Sequence, residues 1–180
     1  MQHTNQHTSE LLLRCKNEEQ SAQFEIYKLY YKAMYNTALR ILNNSFEAED
    51  MMQESFLIAF TKLGTFKGEV AFGAWLKRIV INKCLTQLKK NNRFEEVKLE
   101  VKRNESVEEV IEAESLEPKL ILNAINGLKD NYRIALNLHL IEGYDYEEIS
   151  EIMDISYENS RTTISRAKSK LRTTLTTQYA

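Results

Sequence analysis

Between Val70 and Phe94 the chain carries six cations, Lys77, Arg78, Lys83, Lys89, Lys90 and Arg93, and no acid. Cations in such a run neutralise phosphates and release counterions, which makes nucleic-acid affinity depend on salt. Phe66, Phe72 and Trp75 stand beside the run, and an aromatic face can stack on an unpaired base or wedge next to it. Trp75 and Leu76 also suit interior positions, and an ordinary basic helix face has the same composition. Asn82 adds a neutral polar group suited to a base or backbone contact. Covalent chemistry has no comparable candidate. The sequence holds no phosphate-cradling glycine loop, no nucleophile spaced with a base and no carboxylate-metal constellation. Cys15 and Cys84 form neither a CxxC pair nor a Cys/His cluster, so no zinc site is expected. His3 and His7 have helical spacing but lie in a polar stretch that reads as a frayed tail. No catalytic group, cofactor or metal is expected.

A second group lies in "YEEISEIMDISYENSRTTISRAK", Tyr146 to Lys168. It reads as a short helix, a tight turn and a second helix. Two helices joined in this way can place the second in the major groove, where its first side chains meet base edges. Any helical hairpin shows the same pattern, so a plain bundle remains an alternative. The groove-entering stretch, Tyr157 to Ser165, has a single basic residue, Arg161.

The elements that must position these groups are helical. Five glycines and one proline in 180 residues argue against sheets with tight turns. Apolar residues recur at three- and four-residue spacing, as helices require. An all-α fold of two small domains follows. Residues 1–9 read as a flexible tail. Residues 10–92 form the first domain, with helices over Glu10–Lys16 and Ser21–Leu42 and from Asn44 or Ser45 to about Leu63. A loop spans Gly64–Gly73, and a helix returns from Ala74 to Asn91. Asn44 or Ser45 suits an N-cap, with Glu47, Glu49 and Asp50 near the positive helix end. Residues 93–117 form an acidic linker. Residues 93–118 hold four Lys and Arg against nine Asp and Glu. That stretch fits a free tether and an amphipathic helix packed on one domain equally well. Residues 118–177 form the second domain, with Pro118 at a helix start, a helix over Asp130–Ile141 and Gly143 ending it. No apolar run approaches the roughly 18 residues of a membrane span, and the first residues show no signal pattern. Free thiols fit a reducing cytoplasm.

The segment "IEGYDYEEISEIMDIS....SRTTISRAKSKLR" resembles the fourth conserved region of bacterial sigma factors, in particular the two-domain extracytoplasmic-function group. Glu142, Gly143, Tyr144, Tyr146, Glu147, Glu148, Ile149, Ile155, Ser156, Arg166, Ala167, Leu171 and Arg172 carry the match. Asp154 stands where the family has a turn glycine and tolerates a left-handed backbone. Ser160 replaces an apolar valine, which implies weaker packing, and Arg161 replaces a lysine. "AEDMMQESFLIAF" resembles the polymerase-docking helix of region 2, and "FGAWLKRIVINKCLTQLKK" resembles its DNA-facing part. The likeness covers roughly Phe24–Lys90 and Pro118–Leu175.

The resemblance implies a subunit that binds core RNA polymerase, melts promoter DNA and directs initiation. By that likeness, Asp50, Gln53, Glu54 and Phe56 meet the beta-prime clamp. Thr65, Phe66, Lys67, Lys77, Arg78, Asn82, Lys83, Lys89 and Lys90 meet the −10 element, with the Gly64–Gly73 loop capturing a flipped base. Tyr157, Asn159, Arg161, Thr162 and Ser165 face the −35 element near the beta flap, with Arg166 and Lys168 on phosphate. The linker, through Glu105, Glu108, Glu109, Glu112 and Glu114, would mimic nucleic acid inside the polymerase. An anti-sigma protein is a further partner the family implies. The short, neutral Ser/Thr cluster implies weak −35 reading and a second DNA-bound factor that recruits the protein. A helix-turn-helix regulator, a response-regulator output domain, a polymerase-binding adaptor and a small helical nuclease are the competing readings.

Overall fold

A computed structural model describes residues 2–91 and 118–179, and every regular element among them is helical. The linker read over 93–117, including Arg93 and its glutamates, lies outside the described residues. The described residues fall into two compact units, the first ending at Asn91.

The first unit holds α1 (Gln2–Lys16), α2 (Gln20–Leu42), α3 (Ser45–Thr61), a 3-10 turn (Leu63–Thr65) and α4 (Phe72–Lys90). Helix α2 packs on α1, α3 and α4, and α3 packs on α4. Ile26, Met34 and Ile41 of α2, Met52 and Phe56 of α3, and Leu76, Val80, Ile81, Cys84 and Leu88 of α4 are buried together. Burial pushes the Cys84 thiol up to about 12, so it fills the core as a protonated, apolar group. Cys15 is likewise buried, and its thiol is raised for the same reason. Asn44 is the cap of α3: its side-chain oxygen accepts from the N–H of Phe46 at 3.0 Å and of Glu47 at 3.2 Å. The 3-10 turn leads into the Gly64–Gly73 loop, where Gly68 takes a left-handed φ of 78°.

One boundary differs. Residues 1–9 read as a tail, but α1 starts at Gln2 and runs unbroken. Thr8, Leu11, Leu12 and Cys15 are buried along one side of it. Packing of that stripe sustains a helix whose polar first turns have little propensity of their own. The α1–α2 turn is tied by Arg14, whose Nε donates to Glu19 Oε2 at 2.8 Å. Ser21 Oγ donates to Glu19 Oε1 at 3.0 Å.

The second unit holds α5 (Pro118–Asn126), α6 (Asp130–Leu136), a π-helical segment (Asn137–Ile141), α7 (Tyr146–Met153) and α8 (Tyr157–Tyr179). Ala124, Ile125, Leu128, Leu136, Ala167 and Leu171 form a shared core, flanked by Ile121, Tyr132 and Leu175. Pro118 opens α5, as its fixed φ favours. The helix read over Asp130–Ile141 has that extent, but its last five residues widen to a π pattern. There Glu142 N–H reaches back five residues to Asn137 O at 3.0 Å. Gly143 follows with a left-handed φ of 81°. No described helix is long and apolar enough to cross a membrane.

Two outcomes are expected. The Asn44→Ala substitution should lower unfolding stability by about 1 kcal/mol in urea melts. Arg14 and Ser21 hold the Glu19 carboxyl down at about 2, against an ordinary 4.5. The stabilising tie is therefore full above pH 4.5 and fades as pH falls towards 2. The Tm gap between wild type and Glu19→Gln should shrink across that interval.

Candidate nucleic-acid and partner interfaces

Helix α4 presents its cations because its apolar residues face inward. At about 100° per residue, Trp75, Arg78, Asn82, Thr86 and Lys89 line the side opposite the buried stripe. Asn82, Lys89 and Lys90 are exposed, and Arg78 is half-buried. Lys77 projects from the other side of the helix, so it does not join this strip. Lys83 is committed elsewhere: its Nζ lies 2.5 Å from Glu54 Oε2 on α3. One ion pair therefore joins a residue assigned to DNA with one assigned to polymerase.

The loop ahead of α4 is ordered by aromatic packing. The Phe66 ring sits 5.2 Å from Trp75 and 5.6 Å from Phe72, and Phe72 contacts Tyr30 at 5.5 Å. Phe72 and Leu76 are buried and belong to the core. Phe66 and Trp75 are half-buried and keep part of each ring accessible. Thr65 Oγ1 donates to Lys62 O at 2.7 Å, and Lys67 is exposed. The structure thus brings Thr65, Phe66, Lys67 and Trp75 to the start of α4. A Cβ added at Gly73 would lie 2.9 Å from Tyr30 Cε1, so the glycine permits this close packing of α4 on α2.

On α3, Asp50 and Gln53 are exposed and share a face with the half-exposed Glu54. Phe56 does not belong to that surface. It is only 2% exposed, and its ring packs 4.9 Å from Tyr27. It serves instead as the floor of a groove of about 400 Å³ between α2 and α3, lined also by Phe24, Tyr27, Gln53, Leu57 and Phe60. Phe46 and Leu57, 85% and 67% exposed, complete the α3 face and were missed in sequence. Their signal was available: Phe46, Asp50, Gln53 and Leu57 are spaced four, three and four apart, as one helical stripe requires.

The helix-turn-helix is built from α7 and α8. Asp145 caps α7 through a capping box, accepting from Glu147 and Glu148 N–H while its own N–H donates to Glu148 Oε2 at 2.9 Å. Asp154 takes the left-handed turn conformation, φ 59° and ψ 50°. Ser156 Oγ accepts from Asn159 N–H at 3.2 Å and starts α8. Arg161, Thr162 and Ser165 are exposed on the side of α8 away from Ser160, Thr163, Ile164 and Ala167. The Arg161 guanidinium lies 5.8 Å from the exposed Tyr157 ring. Asn159, Arg166 and Lys168 are half-buried at the margins. Glu158 shares the outward face with Thr162 and Ser165 by helical spacing and had not been singled out. Its carboxylate repels phosphate but can accept from a cytosine amino group. The packing weakness expected of Ser160 is answered by hydrogen bonding: the side chain is buried and donates to Tyr146 O at 2.7 Å.

A four-helix unit with a basic helix and a second unit built around a helix-turn-helix are the architecture that a helical transcription protein would have. The model of the Sigma-70 region 2 family matches residues 26–94, and that of Sigma-70, region 4 matches residues 119–171. The RNA polymerase sigma-H factor of Pseudomonas aeruginosa is 29% identical over 179 residues, covering 92% of each chain. The ECF RNA polymerase sigma-E factor of Haemophilus influenzae is 32% identical over 132 residues, 66% of this chain and 69% of that one. Among solved structures, the sigma factor RpoE from Bartonella quintana in complex with the anti-sigma factor NepR has a TM-score of 0.58 at 23% identity, covering 84% of this chain and 95% of that one. CnrH in complex with the cytosolic domain of CnrY has a TM-score of 0.56 at 21% identity, covering 93% and 96%. The chain belongs to the ECF group of the sigma-70 family of RNA polymerase sigma factors. Its function is that of the family, directing transcription initiation at promoters.

The Glu54–Lys83 pair is half-exposed, which limits its worth. A double-mutant cycle with Glu54→Gln and Lys83→Met should give a coupling energy of about 0.5 kcal/mol in urea unfolding. A coupling of zero would mean that the contact is not populated in solution.

Proposed function

We propose that the α3 face formed by Phe46, Asp50, Gln53, Glu54 and Leu57, with the neighbouring groove, docks on the beta-prime clamp of core RNA polymerase. The loop residues Thr65, Phe66 and Lys67 and the α4 strip of Arg78, Asn82, Lys89 and Lys90 then engage the −10 element as its strands separate. The first turns of α8 enter the −35 major groove near the beta flap, with Arg161, Thr162, Ser165 and Glu158 toward bases and Arg166 and Lys168 toward phosphate. The observation that carries this reading is the segregation within the first unit. Apolar and acidic groups occupy one helix face, cations with the half-buried Phe66 and Trp75 rings another, and a protein partner and a nucleic acid need those two chemistries.

Polymerase supplies the grip, so α8 can read DNA with few cations. Its neutral, short side chains make −35 reading weak, and a second DNA-bound factor adds the missing affinity. An anti-sigma protein would compete for the α2–α3 groove. All of this takes place in the cytoplasm with the polymerase.

Transcription in vitro with purified core polymerase on a genomic library tests the proposal, and defined start sites are the expected result. Transcripts absent from every template, with or without auxiliary proteins, would overturn it. The Leu57→Glu variant should weaken association with core polymerase about tenfold, measured by competition against wild type. The Lys89→Gln variant should reduce the salt slope of promoter binding by about one. A sharp −35 motif at the mapped start sites, used without any helper, would remove the need for a recruiting factor.

A further inference from the structure

Hydrophobic attraction has no direction of its own, so the apolar contacts between α7 and α8 set the register of the two helices only through side-chain packing. Ile149, Ile152, Met153, Ile164 and Ala167 supply that attraction. One contact across the turn does have a direction. Ser160, in the first turn of α8, is 0% exposed, and its hydroxyl lies 2.7 Å from Tyr146 O at the start of α7. The same single proton is shared with Tyr157 O, 2.9 Å away within α8, and the shorter contact is the one across the turn. Tyr146 is itself restrained, since its ring stacks on His139 at 5.1 Å and 24°. His139 Nδ1 lies 3.1 Å from Tyr144 O, in the loop that leads into α7.

We infer that Ser160 is a positioning residue for promoter reading: its hydrogen bond to Tyr146 O sets the register of α8, and with it the −35 discrimination of Glu158, Arg161, Thr162 and Ser165. The inference rests on the −35 role proposed above for α8. Thr162 and Ser165 are short, so their hydroxyls reach a base edge only when the helix backbone comes close. A reading surface of this kind tolerates displacements of only about 0.5 Å. Ser160 lies between Asn159 and Arg161 in sequence, so any shift at Ser160 is passed to both.

The test uses the full chain assembled with core polymerase. Affinity is measured for three DNAs: a mapped promoter, the same promoter with its −35 element scrambled, and a forked −10 template without a −35 element. Ser160→Ala removes the hydroxyl, and Ser160→Thr keeps it. Wild type should prefer the intact over the scrambled promoter. Ser160→Ala should reduce that ratio about fivefold, and Ser160→Thr should hold it within about twofold. All three proteins should bind the forked template equally. An unchanged ratio in Ser160→Ala would overturn the inference. So would an equal loss in Ser160→Thr, which would assign the effect to volume. A parallel loss on the forked template would mark general damage and overturn the positioning role. If wild type itself did not discriminate while still binding the forked template, the −35 role of α8 would fail first, and this inference with it.

Discussion

The first unit depends on which side of α4 is removed from water. Leu76, Val80, Cys84 and Leu88 recur every four residues and are buried against α2 and α3. Burying such a stripe contributes on the order of 1.5–3 kcal/mol per large aliphatic side chain. That is far more than the fraction of a kcal/mol available to a surface cation in a pair. The apolar stripe therefore decides the rotation of the helix, and the charges take what is left. Arg78, Asn82 and Lys89 form one outward strip because the core settled the question. Lys77, of the same residue type, is turned away by the same arithmetic.

The two surfaces of this unit are not independent. Lys83 and Glu54 meet although the proposed roles place them on different surfaces. A carboxylate beside a cation lowers the local positive potential, and a group that draws Glu54 away restores it. Under the proposed roles, binding on α3 and binding on α4 would be linked by an electrostatic term, and linkage of this kind acts equally in both directions. The term is small because both side chains retain solvent contact.

Most of the architecture was legible before any coordinates. Helical periodicity located α2, α3, α4, α7 and α8. Local signals narrowed the α3 cap to Asn44 or Ser45, of which Asn44 serves, and gave Pro118 as a helix start, while the family resemblance pointed to Asp154 as the left-handed turn residue. What escaped was set by tertiary packing. The extension of α1 to Gln2 depends on Thr8 being buried, which a polar composition hides. The π widening at Asn137–Ile141 is a single turn, and its shift of register is too short to stand out from α spacing in a residue pattern. Within the candidate site, the spacing of Asp50 and Gln53 puts both on one exposed side, whereas Phe56, assigned to docking by the resemblance, is buried. A motif states that an aromatic is present at a given spacing, but only the packing of α2 on α3 shows that its ring points inward. Phe46, Leu57 and Glu158 went unremarked because composition treats an isolated apolar or acidic residue as ordinary.

The two cysteines carry a consequence for how the cell can address this factor. Sulfur reacts with peroxides, disulfides and electrophiles as the thiolate, and reaction also requires access. Both side chains are buried, and the Cys84 thiol is shifted to about 12. Neither offers an oxidant the ionised, exposed sulfur it would need. A thiol switch at either cysteine would therefore first require local opening of the helical core that covers it.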